Sequence, residues 1–389
     1  MSLKEHALVA DHVFDGMVVQ RDMAVVIDDS RIAAVVPRTE LPASIPSRSL
    51  PEGAWLAPGF IDVQVNGGGD VLFNDTPTPD GIRAIAAAHR RFGTTAMLPT
   101  LISDTPEKTN AALAAVAKLV GSAPSILGIH LEGPFLSPEK PGVHALRHIR
   151  TPTAADEAVL AMPRPGVMVV TLAPERVPAG FIGRLTSTGA RICLGHSVAT
   201  YQEARAAMAE GLTGFTHLFN AMPPLGSREP GPIAAALESP DIWFGMIVDG
   251  VHVDPATLRL ALRGAARPML VTDAMAPAGG TLSSFSLQGE PIVCDGGRCL
   301  RRDGTLAGTA LDMATAVRNC VRLLGAPLEL ALRFASVHPA SFLGLDHWLG
   351  HLAPGYRADI VALDPGSVEI TGVWIAGIDQ MTDVRPPPA

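Results

Sequence analysis

Residues 125–135 read SILGIHLEGPF, a short apolar run that stops on a carboxylate, with a His two places before it. Ser125 to Ile129 has the length, β-branching and flanking turn residues of a buried strand, which places Glu132 at a strand's carboxyl end. In a parallel α/β protein that end is where ligands and chemistry collect. A single Glu beside a Gly-Pro turn would ordinarily be a salt-bridged residue. Whether Glu132 stands alone therefore sets how the rest of the chain is read.

It does not stand alone. Further short apolar strands follow the same pattern: LAPGFIDVQV, TTAMLPT, GVMVVTLAP, ARICLGH, GFTHLF, IWFGMIVDG and PMLVTD make eight with SILGIH. Helices lie between them and announce themselves by their ends. Thr78-Pro79 opens DGIRAIAAAHRRF before Gly93, Thr105-Pro106 opens EKTNAALAAVAKLV before Gly121, and Thr200 with Glu203 forms a capping-box pattern. Eight strands alternating with helices over roughly 290 residues predict an α/β fold, a (β/α)8 TIM-like barrel. No G-x-G-x-x-G, Walker loop or internal repeat competes with it.

The ends of the chain have another texture. AVVIDDSRIAAVV, with a hairpin connection at Asp28-Asp29-Ser30, and ADIVALDPGSVEITGVWIAGI are both rich in short strands. They predict one small β-sandwich domain formed from both chain termini: residues 1–52 and 351–389 around a barrel of residues 53–350.

Bulk properties narrow the function. With 47% hydrophobic and 17% charged residues, the 389-residue chain can build a large core, and extensive disorder is not expected. A formal charge of −8 argues against nucleic acid and membrane surfaces as partners, both of which need a basic face. Any anionic ligand must then be held by a few local cations. The opening residues lack an apolar core long enough for a signal peptide, and no apolar run approaches the roughly 18 residues of a spanning helix. A cytoplasmic protein is expected. Cys193, Cys294, Cys299 and Cys320 lack zinc spacing, and reduced thiols are the simplest expectation. Cys294 and Cys299 flank Asp-Gly-Gly-Arg, however, where a hairpin would set them face to face.

The strand ends carry polar groups: Gln64 and Asn66, Glu132, His196, His217, His252 and Asp273. A closed barrel gathers those ends around one axis. One carboxylate and two imidazoles are a three-ligand catalytic metal set with a position left open for water, and Asp273 would be free to act on that water. Individually, a strand-end His or Asp is more often structural; together on one rim, they are better explained as a site.

These residues also carry a resemblance. PGFIDVQVNG, HLEGPF, GVHA, GHS, THLFNAMPPLGSREPG, DGVHVDP, LVTDAMAP, LAGTAL and GHLAPGYRADIVALD resemble, in order, the N-acetylglucosamine-6-phosphate deacetylases of the amidohydrolase superfamily. The resemblance implies a barrel with a small β-sandwich and hydrolysis of the acetamide of N-acetyl-D-glucosamine 6-phosphate. It makes Glu132, His196 and His217 metal ligands and Asp273 the catalytic acid/base. His144 would approach the substrate carbonyl, while Ala145, Asn220, Ala221, Arg228, His252, Leu306, Ala307 and Gly308 would line the sugar-phosphate pocket. A homodimer is implied as well. Many relatives in the superfamily carry His-x-His where this chain has Gln64 and Asn66, and neutral amides are poor transition-metal ligands. One divalent metal per chain is therefore expected, Zn2+ first, with Fe2+, Co2+ or Mn2+ also suited to the donors. The rival readings are deacetylation of N-acetylgalactosamine 6-phosphate and a non-catalytic sugar-phosphate sensor on the same scaffold.

Overall fold

The computed structural model describes residues 5–381, so the outermost ends of the expected 1–52 and 351–389 ranges lie outside the described residues. These residues form two compact units. One takes in the chain up to Asp62, His89–Ala96 and the chain from Met313 on; the other comprises Val63–Ala88 and Met97–Asp312.

An eight-stranded sheet runs through Phe60–Val65, Thr94–Ile102, Gly128–Glu132, Val167–Leu172, Arg191–Leu194, Gly214–Phe215, Trp243–Met246 and Arg267–Leu270, in chain order. From the third strand to the eighth, neighbours pair in parallel. Beyond the eighth strand the chain returns to the first: the Asp273 N–H donates to Gln64 O at 3.0 Å, and Val65 bridges Ala274 in parallel. This is the barrel expected from the sequence, and its closure gathers the strand ends. One predicted strand is divided. LAPGFIDVQV splits at Gly59, so that only Phe60–Val65 joins the barrel, while Trp55–Pro58 pairs with Ile360–Leu363 in the other sheet.

The helix ends behave as their side chains dictate. Thr105 accepts from the Lys108 N–H, and Thr200 and Glu203 satisfy each other's backbone donors at the start of Tyr201–Ala209. Among the described residues no helix is long and apolar enough to cross a membrane.

The terminal strands form one mixed sheet in which Ile360–Leu363 and Ile370–Ile375 extend the N-terminal strands His6–Phe14, Val19–Asp28 and Arg31–Pro37 by way of Trp55–Pro58. Leu8, Val13, Val25, Ile27, Leu56, Ile360 and Trp374 make its core.

A further antiparallel sheet follows the eighth barrel strand: Ser284–Leu287, Glu290–Asp295, Arg298–Leu300 and Leu306–Thr309. Of this sheet, the sequence signals only the Cys294–Cys299 turn. Those two residues lie directly opposite each other, and a disulfide joins them, which corrects the expectation of four reduced thiols. Register brings the pair together; Cys193 and Cys320 are buried and free.

Candidate active site

Third-strand alternation sends His130 and Glu132 to the same side. His130 is fully buried: its Nδ1 lies 2.9 Å from the Val63 carbonyl and its Nε2 2.7 Å from Thr171 Oγ1. Burial pushes its imidazole down to about 4, so it is a neutral structural residue.

Glu132, two residues on, meets His196 and His217 from the ends of the fifth and sixth strands. Glu132 Oε1 lies 3.1 Å from His196 Nε2 and 3.0 Å from His217 Nε2, and the two imidazole nitrogens are 3.1 Å apart. All three residues are buried and could hold a metal ion. His196 Nδ1 lies 2.9 Å from the Lys140 carbonyl, which can only accept, so Nδ1 carries a proton and Nε2 is the nitrogen that faces the group. The spacing is close to the roughly 3.4 Å between donors that each stand about 2.1 Å from one tetrahedral ion. Burial by itself would raise Glu132, but hydrogen bonds and charge from His196 and His217 hold it well below the ordinary carboxylate range. His217 is raised: the Glu132 carboxylate outweighs the opposing cost of burial. A cation bound in the group would compete with protonation there.

Asp273 faces the same group from the end of the eighth strand. Its Oδ1 accepts from Gln64 Nε2 at 3.1 Å and from Asn66 Nδ2 at 2.7 Å, and Gln64 Nε2 also reaches Glu132 Oε2 at 3.2 Å. Both amides act as donors: Gln64 bridges the two carboxylates, and Asn66 reaches Asp273 alone. Burial first, and the negative charge of Glu132 second, push Asp273 up to about 6.

His144 enters from the loop after the third strand. The Ser103 N–H, which can only donate, reaches its Nδ1 at 3.2 Å, and Ser103 Oγ lies 2.8 Å away. Nδ1 is therefore an acceptor, and the proton of the neutral ring sits on Nε2. Burial, and then the charge of His196, lower the ring to about 3, which keeps it neutral. The backbone is strained at this rim: His196, His217 and Asp273 have φ of 48°, 29° and 50°, and Ala221 52°. Left-handed non-glycine residues of this kind cost on the order of 1–3 kcal/mol each and cluster at functional sites.

A cavity of about 320 Å³ opens over these groups, lined also by Lys140, Asn220, Ala221, His252, Leu306 and Gly308. Asp249 Oδ2 lies 2.6 Å from His252 Nδ1 and orients that ring. Three expected pocket residues do not line the cavity: Ala145 is half-buried, Ala307 is buried within the strand Leu306–Thr309, and Arg228 is exposed on the loop before the helix Gly231–Leu237. Sequence reading missed Ser103, the Lys140 carbonyl and Asp249. Ser103 was within reach, since the second strand runs on to Ile102, past the Thr100 at which TTAMLPT ends. Asp249 stands three residues before His252 in DGVH.

The amidohydrolase family matches residues 55–378, and the NagA composite domain matches residues 3–56. The N-acetylgalactosamine-6-phosphate deacetylase of Shewanella sp. (strain ANA-3) is 43% identical over 87% of this chain and 86% of its own length. The N-acetylglucosamine-6-phosphate deacetylase of Haemophilus influenzae is 34% identical, over 96% and 98%. Among solved structures, the N-acetylglucosamine-6-phosphate deacetylase of Pasteurella multocida superposes with a TM-score of 0.93 at 34% identity, covering 96% of this chain and 99% of that one. A mutant of the Mycobacterium smegmatis enzyme in complex with N-acetyl-D-glucosamine-6-phosphate superposes at 0.88, with 35% identity over 97% and 100%. With the barrel, the three-donor group and these matches in agreement, the chain belongs to the amidohydrolase family, in its N-acetylglucosamine-6-phosphate deacetylase branch.

Proposed function

We propose that this chain hydrolyses the acetamide of N-acetyl-D-glucosamine 6-phosphate to D-glucosamine 6-phosphate and acetate. The observation that carries the reading is the sharing of one cavity by a carboxylate raised to about 6, an imidazole with its proton on Nε2 and a three-donor metal group. A divalent cation held by Glu132, His196 and His217 would polarise the acetyl carbonyl and lower the pKa of water. Zn2+ suits two imidazoles and one carboxylate with an open position, and Fe2+, Co2+ and Mn2+ suit the same donors.

Asp273 takes a proton from water as its oxygen bonds to the acetyl carbon. It returns that proton to the nitrogen as the C–N bond breaks, so amine and acetate leave with protons balanced. Gln64 and Asn66 aim Asp273 through its Oδ1. His144 Nε2–H donates to the carbonyl oxygen as negative charge develops there. His252, Asn220, Ala221, Leu306 and Gly308 receive the sugar phosphate. Arg228 stands exposed outside the cavity, so its reading as a phosphate residue, like those of Ala145 and Ala307, rests on the family pattern and goes together with a homodimer. We place the protein in the cytoplasm.

N-acetylgalactosamine 6-phosphate is a second reading, favoured by the 43% identity to the Shewanella enzyme. A sensor has no use for a proton carrier such as Asp273. Acetate release from the two 6-phosphorylated N-acetylhexosamines and their unphosphorylated forms decides among these. The proposal expects phosphate-dependent release, fastest from the glucosamine epimer; a preference for the other epimer selects the second reading, and no release by the ion-loaded chain leaves the sensor.

A further inference from the structure

We propose that Gln288, at the tip of the four-stranded sheet, is a positioning residue that holds His144 in its proton-donating form; this deepens the deacetylase reading of the site and rests on it. Gln288 occupies the turn between Ser284–Leu287 and Glu290–Asp295 with φ of 52°. Its Nε2 donates to the Ser103 carbonyl at 2.6 Å, and its Oε1 accepts from the Ala145 N–H at 3.2 Å. Those partners fix which way the amide faces, because a carbonyl can only accept and an N–H only donate. Ser103 and Ala145 flank the one contact that assigns the His144 tautomer, Ser103 N–H to Nδ1. The side chain therefore closes a ring: Gln288 to Ser103, Ser103 to His144, and the residue after His144 back to Gln288.

The turn is itself anchored. Arg147 donates to the Gln288 carbonyl at 3.0 Å, and Leu287 packs in a cluster with Ile102, the residue before Ser103, and Val143, the residue before His144. The amide donates to one segment and accepts from the other. A carboxylate there would accept from the Ala145 N–H but repel the Ser103 carbonyl, so Gln288→Glu should fail as Gln288→Ala does.

The test is a double-mutant cycle on the ion-loaded chain with the 6-phosphorylated sugar. Gln288→Ala is expected to lower kcat by about 10- to 100-fold, because a displacement near 1 Å at a reacting group has that effect, with KM, bound metal and Tm nearly unchanged. In a His144→Ala background the same substitution should change kcat by less than about 2-fold, since the residue it acts through is gone. Equal losses in both backgrounds, or an unaltered kcat in Gln288→Ala, overturn the proposal. Imidazole 15N shifts supply an arm that needs no turnover, and it stays readable if the parent chain releases no acetate. His144 should keep its proton on Nε2 in the parent and lose that preference in Gln288→Ala; an unchanged tautomer also overturns it.

Discussion

Asp273 and Glu132 share a cavity and are driven in opposite directions. Glu132 is held low by two imidazoles, whereas Asp273, buried and facing a carboxylate, is pushed up to about 6 from 3.8. Two titratable groups forced apart in this way suit different roles, and the proposed reaction makes Glu132 a ligand and Asp273 the proton carrier. Asp273→Asn should keep the fold and the bound ion while lowering kcat by about 10² to 10⁴ or more, because an amide fits the space and cannot accept the proton. The pH dependence of the metal-free chain checks the same residue. Folded Asp273 holds its proton more tightly than in the unfolded chain, so its contribution to stability is fully present below about pH 4. That contribution is lost as pH rises through about 6, amounting to on the order of 3 kcal/mol. In metal-stripped samples the Asn variant should therefore gain on the parent between pH 4 and pH 7 in thermal unfolding; a constant gap would remove the raised carboxyl from the account.

The strand that delivers Glu132 begins at Gly128, paired with Val167 of the next strand. A Cβ on Gly128 would stand 1.8 Å from the Val167 carbonyl oxygen, and that backbone is fixed by the pairing of both strands. Gly128→Ala must push the third and fourth strands apart at the start of the strand whose far end carries Glu132. A loss of about 2 to 4 kcal/mol in urea unfolding is expected, with weaker metal retention; a change below about 1 kcal/mol would show that the barrel relaxes around the methyl group. Strand and helix identities were legible because apolar runs and caps act locally: Thr105 and Thr200 cap as their neighbours dictate. The sheet of Ser284–Thr309 was not, since its strands are short, and their pairing is seen only once each meets its partner.

For the molecule as a whole, metal count tests the reading of the rim. Gln64 donates to both Glu132 and Asp273 and Asn66 to Asp273, so on the proposed reading these amides serve as donors and no second ion is held. Elemental analysis after dialysis should find about one divalent ion per chain, and none in Glu132→Ala, where one of three donors is gone. Two ions retained by the parent, with both needed for turnover, would contradict the single site.

The sequence by itself determined the barrel, its order of strands and the seven polar residues at their ends, because hydrophobic period and strand-end position are local properties of the chain. It also carried the family, through motifs such as THLFNAM and HLEGPF. Tertiary structure alone decided which nitrogen of His144 holds the proton, since that depends on a backbone N–H at Ser103, 41 residues away in sequence. It decided that Asp273 is a raised carboxyl, because burial and the approach of Glu132 arise only on closure. It also set Arg228 outside the cavity and Gln288 against the His144 loop: exposure and long-range hydrogen bonds depend on where distant segments meet, and no local pattern of residues encodes that.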